Sequence, residues 1–382
     1  MSNQSFTRQL KTLLALSLIL ASCSFSTIPQ EKSPGWETAS LNDVGLNADS
    51  LVDVVGLVID GTYQNVHSIL IAKEGKLVFE HYFNGYSWDF YGEDFKGELV
   101  AFGPDTLHNQ ASVTKSFTST LVGIAIDNGF ISGVDDKLFD YFPEYAHLAD
   151  DRKSSITIEN LLTMTTGLEW NGLDVPIDTR NPTNDVLQLF FVDDPLAFIL
   201  SKPMVADPGT DWYYNGGATV LLGEILNRAS GLRLDEFAEL YLFAPLEITE
   251  YEWFFIQPDL VYAAGNLRMR PRDMAKLGQL YLNNGEWQGE RIVSEQWIHE
   301  SVAWHSNPLW SDGYGYQWWI ERFRTDSRSF NSFYASGWGG QRILVIPELE
   351  MVIVLTGGNY TVEDSIKEIV EDHILSAVQD TG

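Results

Sequence analysis

The chain has 382 residues, of which 45% are hydrophobic, 13% aromatic and 20% charged, so it can bury a sizeable core. Its formal net charge of -29 argues against binding to nucleic acid and against a general attraction to anionic substrates or lipid surfaces. With a single cysteine the chain forms no internal disulfide. The charge leaves the choice among neutral substrates open.

The first 23 residues are predicted to be an export signal. Arg8 and Lys11 precede an apolar run over residues 13–20, which is too short to span a bilayer as a permanent helix. The ending Leu20-Ala21-Ser22-Cys23 resembles the motif at which bacterial lipoproteins are cleaved and lipidated on the cysteine, although an ordinary signal peptide containing a cysteine fits the same residues.

Residues 24–36 are polar and read as a flexible tether, followed by one domain over 37–382. Ser24, in place of Asp after the cysteine, resembles the pattern of outer-membrane sorting. We therefore expect an exported lipoprotein of the outer membrane that faces the periplasm. Its only attachment to the membrane is the lipid on Cys23.

The next prediction is a hairpin, with strands at residues 68–71 and 77–82 around a turn at 73–76. A long apolar segment that begins at residue 112 then predicts a buried helix. Val113, Phe117, Leu121 and Ile124 recur at helical spacing, and Gly129 supplies a left-handed stop.

Ser112 and Lys115 stand three residues apart at the start of this helix, so both side chains lie on one face of its first turn. A serine attacks a carbonyl only if a base takes its proton, and a lysine is such a base where burial favours the neutral amine. No Asp or Glu lies within a helical turn of Lys115 to hold it charged. The pair is a candidate nucleophile and base, although a bare S-x-x-K also arises by chance.

Mostly helical sequence follows, with predicted helices at 158–164, 186–192, 218–229, 234–242 and from Pro271 to an end at Asn283-Asn284-Gly285. Strands return at 315–320, 341–346 and 351–355, before a final helix over about 362–378. The pattern predicts an α/β protein of the α+β type: an antiparallel sheet built from both termini and flanked by helices, with an inserted helical lobe at about 139–261. A cleft between sheet and lobe would hold the start of the Ser112 helix.

Other chemistries lack matching residues. The seven histidines are dispersed without H-E-x-x-H, and no serine lies in G-x-S-x-G, which disfavours a zinc enzyme and an α/β-hydrolase. The acidic pair Asp193-Asp194 is more simply a helix cap than a metal site. We expect neither a metal nor a cofactor.

From about residue 36 to 379 the chain resembles the penicillin-recognising serine hydrolases, which include class C β-lactamases, D-alanyl-D-alanine carboxypeptidases, family VIII esterases and related amide hydrolases. Ser112-Val113-Thr114-Lys115 matches their S-x-x-K motif. The resemblance implies a β-lactamase/transpeptidase-like fold, in which Ser112 forms an acyl-enzyme and Lys115 takes its proton.

A second segment, residues 208–223, resembles the part of the family that contains Y-x-N. Alignment on its glycines places Tyr214 on the family tyrosine, Asn215 on the middle position and Gly216 on the family asparagine. The resemblance implies that Tyr214 relays a proton to the leaving group. A glycine cannot donate to the substrate as asparagine does, so this contact falls to Asn215 if it turns into the cleft.

The third segment, residues 336–341, stands where the family has K-T-G or H-T-G. Trp338 occupies the cationic position, as in some family VIII esterases. The resemblance implies that Trp338, Gly339 and Gly340 contact the substrate. It also implies that the backbone amide of Gln341 pairs with that of Ser112 as the oxyanion hole.

Together these features predict a serine hydrolase for small neutral esters or amides, because an indole offers a substrate carboxylate one N–H and no charge. Arg342 complicates this, since strand alternation alone does not say whether it points into the cleft. β-Lactamase or D-alanyl-D-alanine carboxypeptidase activity is one alternative, with a peptide-like substrate. A non-catalytic binding or scaffold lipoprotein of the same fold is the other.

Overall fold

The computed structural model describes residues 35–172 and 183–379. The predicted export signal, its Cys23 and most of the tether lie outside these ranges. The strands in the described ranges are β1 (Glu37–Thr38), β2 (Val66–Lys73), β3 (Lys76–Tyr82), β4 (Asn84–Trp88), β5 (Lys96–Ala101), β6 (His108–Asn109), β7 (Tyr251–Glu252), β8 (Phe255–Gln257), β9 (Leu260–Val261), β10 (Arg268–Met269), β11 (Glu286–Trp287), β12 (Glu290–Arg291), β13 (Gly313–Tyr314), β14 (Trp319–Arg324), β15 (Ser329–Gly337), β16 (Gln341–Ile346) and β17 (Met351–Gly357).

The α-helices of the same ranges are α1 (Ala48–Ile59), α2 (Thr114–Asp127), α3 (Ile158–Leu162), α4 (Asp185–Gln188), α5 (Pro195–Leu200), α6 (Gly216–Ser230), α7 (Leu234–Ala238), α8 (Pro271–Leu282), α9 (Glu295–Ser301) and α10 (Ile366–Glu368). Two π-helical segments, Glu239–Phe243 and Ile369–Ile374, continue α7 and α10. Within the described part of the chain, no helix has the length and hydropathy to cross a bilayer.

One large sheet joins the two ends of the described chain. Its eight strands follow the order β1-β3-β2-β17-β16-β15-β14-β13. Only β1 and β3 pair in parallel, and the remaining neighbours are antiparallel. The predicted antiparallel sheet built from both termini is confirmed, with helices α3 to α7 between its two halves.

Most predicted elements recur in the structure with shifted ends. The hairpin of β2 and β3, the strands β16 and β17, and the helices α6 and α8 are confirmed. The strand predicted at 315–320 is wrong in its bounds, because Gly315 donates its N–H to Trp318 O at 2.8 Å and so begins a turn before β14. The predictions missed β15, whose polar positions interrupt the apolar pattern, and α1, which Asn47 caps.

The two faces of the sheet meet different layers. Ile343 and Val345 of β16 belong to the core shared with α2, α6 and α8, whereas Leu344 and Ile346 belong to the core shared with α1 and the C-terminal helix. This alternation is the period of two that a strand covered on both faces requires. The sheet therefore lies between helical layers, and β15 runs towards the start of α2.

Helix α2 is buried, and its hydroxyl side chains bond to segments that are distant in sequence. Ser116 Oγ donates to Gln317 O at 2.7 Å, and Thr118 Oγ1 donates to Ala263 O at 2.8 Å. These bonds satisfy polar groups that burial would otherwise destabilise. They hold α2 between the sheet and the segment leading to β10, with Ser112 at the edge of a cleft.

Candidate active site

Ser112 lies in the short 3-10 turn Ala111–Val113 that leads into α2. Ala111 has φ of +46°, a left-handed conformation that costs a non-glycine residue about 1–3 kcal/mol. The Asn109 side chain stabilises it, because its Oδ1 accepts the Ala111 N–H at 2.8 Å while its Nδ2 donates to Asn266 Oδ1 at 3.2 Å. The serine is therefore presented on a constrained turn.

Lys115 is buried beside the serine. Its Nζ lies 3.0 Å from Ser112 Oγ and 2.6 Å from the carbonyl oxygen of Ala264. Among the described residues, no carboxylate lies within 4.0 Å of this nitrogen to form an ion pair. With one hydrogen on Ala264 O, a neutral amine directs its lone pair at Oγ and can take the hydroxyl proton.

Tyr214 meets the lysine with its ring. Lys115 Nζ lies 4.9 Å from the ring centroid, and the ring packs with Trp319 at 6.1 Å and Trp212 at 6.1 Å. Its hydroxyl has no hydrogen bond to Ser112 or Lys115. The structure thus brings Ser112, Lys115 and Tyr214 together at one point of the cleft.

A second tyrosine, Tyr262, also lines the cleft, and it is almost fully buried. Burial, together with the neighbouring Tyr214, raises the pKa of its hydroxyl well above the usual range. Tyr262 therefore stays neutral at physiological pH and cannot act as a base there.

Strand β15 supplies the backbone nearest to the nucleophile turn. Its pairing with β14 ends at Tyr334, so residues 335–337 have a paired strand on the β16 side alone. A Cβ added to Gly337 would collide with the carbonyl oxygen of Gln110, which shows how closely the two backbones approach. The next N–H, that of Trp338, has no backbone acceptor in the described chain and remains available at this edge.

The prediction that the Gln341 amide completes the oxyanion hole is wrong. Gln341 begins β16, where it pairs with Gly337 of β15, and it is absent from the lining of the cleft. Its side chain is fully buried and donates to Gly357 O at 2.7 Å. Residues 338–340 form the hairpin turn between β15 and β16, with Gly339 and Gly340 both left-handed.

Two further predicted contacts do not reach the cleft. Asn215 is buried and caps α6, its Oδ1 accepting the Ala218 N–H at 3.0 Å, so it does not replace the family asparagine. Gly340 also lies outside the cleft lining. Trp338, Gly339 and Gly216 line the cleft, and the contact of Trp338 and Gly339 with a substrate stays a prediction.

The cleft has a volume of about 1090 Å³ and a wall rich in aromatic side chains. Trp338 stands in a cluster of rings, with centroids 4.8 Å from Phe95 and 5.1 Å from Tyr360, and its indole N–H donates to Tyr360 O at 3.0 Å. The aromatic residues of the lining are Trp88, Phe90, Phe95, Trp170, Phe190, Tyr214, Tyr262, Trp310, Trp319, Trp338 and Tyr360. Such a wall favours substrates with apolar groups.

Arg342 lines the same cleft, but it is already paired. Its guanidinium lies 3.6 Å from Asp364 Oδ2 and donates to Gln341 O at 2.9 Å. It shares a face of β16 with Leu344, opposite the face that packs on α2. The Arg342 side chain, whose orientation the sequence did not predict, therefore lies along the cleft, and the carboxylate of Asp364 balances its charge.

A buried histidine pair lies behind the nucleophile turn. His67 Nδ1 and His108 Nε2 are 2.8 Å apart, and His108 Nδ1 donates to Asn109 O at 3.0 Å. Burial lowers the pKa of His67 to about 2, with His108 adding to the shift, and burial lowers the pKa of His108 to about 4. Both rings are therefore neutral near pH 7.

Sequence reasoning missed the roles of Asn109, Ala264 and Trp170 at this site. A local pattern could have identified Asn109, because an asparagine side chain commonly accepts the backbone N–H of the residue two positions later, here Ala111. Ala264 and Trp170 lie far from Ser112 in sequence and reach the cleft only through packing, so no local pattern identifies them.

Comparisons with known proteins identify the family of this chain. The family model described as Beta-lactamase matches residues 64–369. A 6-aminohexanoate-dimer hydrolase of Paenarthrobacter ureafaciens is 28% identical over 273 residues, covering 67% of each protein. Alignments with further curated relatives span 40–59% of those proteins.

Two solved structures share the fold. A family VIII carboxylesterase superposes with a TM-score of 0.64 at 18% identity, covering 87% of this chain and 96% of the other. An octameric penicillin-binding protein homologue from Pyrococcus abyssi superposes with a TM-score of 0.64 at 20% identity, covering 87% and 78%. At these identities the likeness concerns the fold.

Proposed function

The chain belongs to the β-lactamase family and is a hydrolase of that family, and we propose that it cleaves neutral esters or amides through an acyl-enzyme on Ser112. The observation that carries the proposal is the 3.0 Å contact between Ser112 Oγ and a buried Lys115 Nζ that no carboxylate among the described residues neutralises. This is a nucleophile with a base in hydrogen-bond reach.

In the proposed reaction, Ser112 Oγ forms a bond to the substrate carbonyl carbon while Lys115 takes the hydroxyl proton. The N–H groups of Ser112 and Trp338 stabilise the oxyanion. Lys115 returns the proton to the leaving oxygen or nitrogen, and the bond to the leaving group breaks. The relay by the Tyr214 hydroxyl stays a prediction, since Lys115 Nζ meets the ring of Tyr214, 4.9 Å from its centroid. Water then attacks the acyl-enzyme with the same groups acting in reverse.

The cleft offers little to a substrate carboxylate. The Trp338 N–H is donated to Tyr360 O, and the Arg342 charge is balanced by Asp364. Lys367, which also lines the cleft, lies 3.6 Å from Glu321 Oε1. An acidic substrate would lose solvation and would compete with these carboxylates for the cations, whereas a neutral ester or amide loses nothing comparable. This supports neutral substrates over β-lactams and peptide C-termini.

A fluorophosphonate probe tests the proposal, because it reacts covalently with activated serines. We expect the full chain to be labelled on the peptide that contains Ser112 and the Ser112→Ala variant to lose the label. Ser336, the other cleft serine in the described ranges, provides the matched control, and Ser336→Ala should remain labelled. An unlabelled wild-type protein, or equal labelling of Ser112→Ala, would contradict the proposed nucleophile.

For the location, we propose a lipoprotein held in the outer membrane by acylated Cys23 and facing the periplasm. The support is the order of basic residues, short apolar run and Leu20-Ala21-Ser22-Cys23.

A further inference from the structure

The backbone N–H groups around the nucleophile differ in their partners. Ala111 donates its N–H to Asn109 Oδ1 at 2.8 Å, and Val113 donates its N–H to Gln110 O at 3.1 Å. The N–H of Ser112, between them in sequence, has no acceptor in the described part of the chain. The turn thus leaves unpaired the amide that would stabilise an oxyanion on a substrate attached to Ser112.

This turn depends on the left-handed backbone of Ala111. At a φ of +46° a residue with a side chain is strained, so residue 111 would relax towards an ordinary conformation if nothing held it. Two side chains hold it: Asn109 Oδ1 accepts its N–H, and Thr114 Oγ1 donates to its carbonyl oxygen at 2.6 Å. Relaxation at residue 111 would shift Ser112, the next residue, relative to Lys115.

The support of the turn and the support of the base come from residues two apart in sequence. Ala264 O accepts from Lys115 Nζ at 2.6 Å, and Asn266 Oδ1 accepts from Asn109 Nδ2 at 3.2 Å. Because Nδ2 of Asn109 donates to Asn266, the oxygen of the same amide faces the N–H of Ala111. The Asn109–Asn266 bridge therefore links the nucleophile turn to the segment that holds the base.

We propose that Asn109 is a positioning residue of the hydrolase. Its amide, fixed by Asn266, keeps Ala111 left-handed and thereby directs the Oγ and the N–H of Ser112 for attack on the substrate. The inference rests on the proposed function and adds no contact between Asn109 and the reacting atoms. Both asparagines line the cleft, so direct binding of the substrate by Asn109 is the competing explanation.

A double-mutant cycle on the full chain separates positioning from substrate contact. Asn109→Ala removes the acceptor of the Ala111 N–H, whereas Ala111→Gly removes the strain, because glycine adopts positive φ about as readily as negative φ. In the chain that keeps Ala111, Asn109→Ala should lower kcat for p-nitrophenyl butyrate by about 10- to 100-fold. In the Ala111→Gly background the same substitution should lower kcat by no more than about 3-fold, since a left-handed glycine needs no support.

The rate constant for labelling by a fluorophosphonate provides a second readout. The probe reacts with Ser112 Oγ and needs no later attack by water, so its rate reports on the nucleophile. Asn109→Ala should slow the labelling in the chain that keeps Ala111 and leave it nearly unchanged in the Ala111→Gly background. A direct contact between Asn109 and the substrate would instead give the same loss of kcat in both backgrounds.

Asn266→Gly tests the bridge by itself. Asn266 has φ of +59°, so glycine removes the acceptor of Asn109 Nδ2 without adding backbone strain. It should lower kcat by about 3- to 10-fold, the ratio for one neutral hydrogen bond, and this loss too should disappear in the Ala111→Gly background. Asn47→Ala is the matched control and should leave kcat unchanged, because Asn47 Oδ1 accepts the Asp49 N–H two residues later at 2.9 Å, outside the cleft lining.

The outcomes separate this inference from the proposed function. A wild-type kcat in Asn109→Ala, or an equal loss in both backgrounds, overturns the positioning role and leaves the hydrolase intact. If Asn109→Ala does not fold, the same comparison of Asn266→Gly in the two backgrounds decides. A wild-type chain that neither hydrolyses the ester nor reacts with the fluorophosphonate overturns both.

Discussion

The His67–His108 pair should make the fold sensitive to mild acid. Asn109 O only accepts, so His108 Nδ1 carries a hydrogen and its Nε2 accepts from His67 Nδ1. The neutral pair is thereby complete, and a proton on His67 Nε2 would find no acceptor among the described residues. Because the folded-state pKa values are lowered to about 2 and about 4, the unfolded chain binds these protons first as pH falls.

The difference in histidine pKa between the folded and unfolded states sets the direction and the size of the change in the free energy of unfolding. Well above pH 6.5 the histidines are neutral in both states and the pair contributes no pH dependence. Below it the unfolded state gains protons that the folded state refuses, so the free energy of unfolding falls. At pH 5, about 1.5 units below the unfolded value, each histidine costs roughly 2 kcal/mol, or about 4 kcal/mol for the pair.

Urea unfolding followed by tryptophan fluorescence at pH 7 and pH 5 measures the effect. The double variant His67→Gln/His108→Gln keeps hydrogen-bonding side chains without titrating, so it should lose about 4 kcal/mol less than the wild type between the two pH values. His147→Gln alters a surface histidine and serves as the control. If the wild type and the double variant lose the same stability, the pair is not held neutral and the reasoning fails.

Three further predictions concern the reaction and the anchor. Ser112→Ala and Lys115→Ala should each lower kcat by roughly 10⁴-fold or more with unchanged circular dichroism. The reason is that removing one member of a catalytic unit lowers kcat about as much as removing all of them. A Lys115→Ala variant that keeps most of its activity would require another base. Trp338→Lys should raise the ratio of kcat/KM for a cephalosporin to kcat/KM for p-nitrophenyl butyrate by about 10- to 100-fold, the range for one charge-assisted hydrogen bond. An unchanged ratio would show that this position does not select against carboxylates. Cys23→Ser should abolish radiolabelled palmitate incorporation in a bacterial host, and equal labelling of both proteins would exclude the anchor.

Local patterns in the sequence determined the elements around the site. The Ser112–Lys115 pair was predictable because three residues of helix place two side chains on one face, whatever the rest of the fold does. Helices α6 and α8 and strands β16 and β17 were predictable for a similar reason, since periodicity and their Gly or Pro boundaries lie within each segment.

Tertiary structure alone decided which groups face the cleft. Gln341 and Trp338 are three residues apart, yet Gln341 pairs with Gly337 inside the sheet and Trp338 lies beyond the end of the pairing between β14 and β15. Asn215 turns inward to cap α6, and Trp170 reaches Gly216 from 46 positions earlier in the chain. Such contacts depend on how distant segments pack, and no local pattern of residues records that packing.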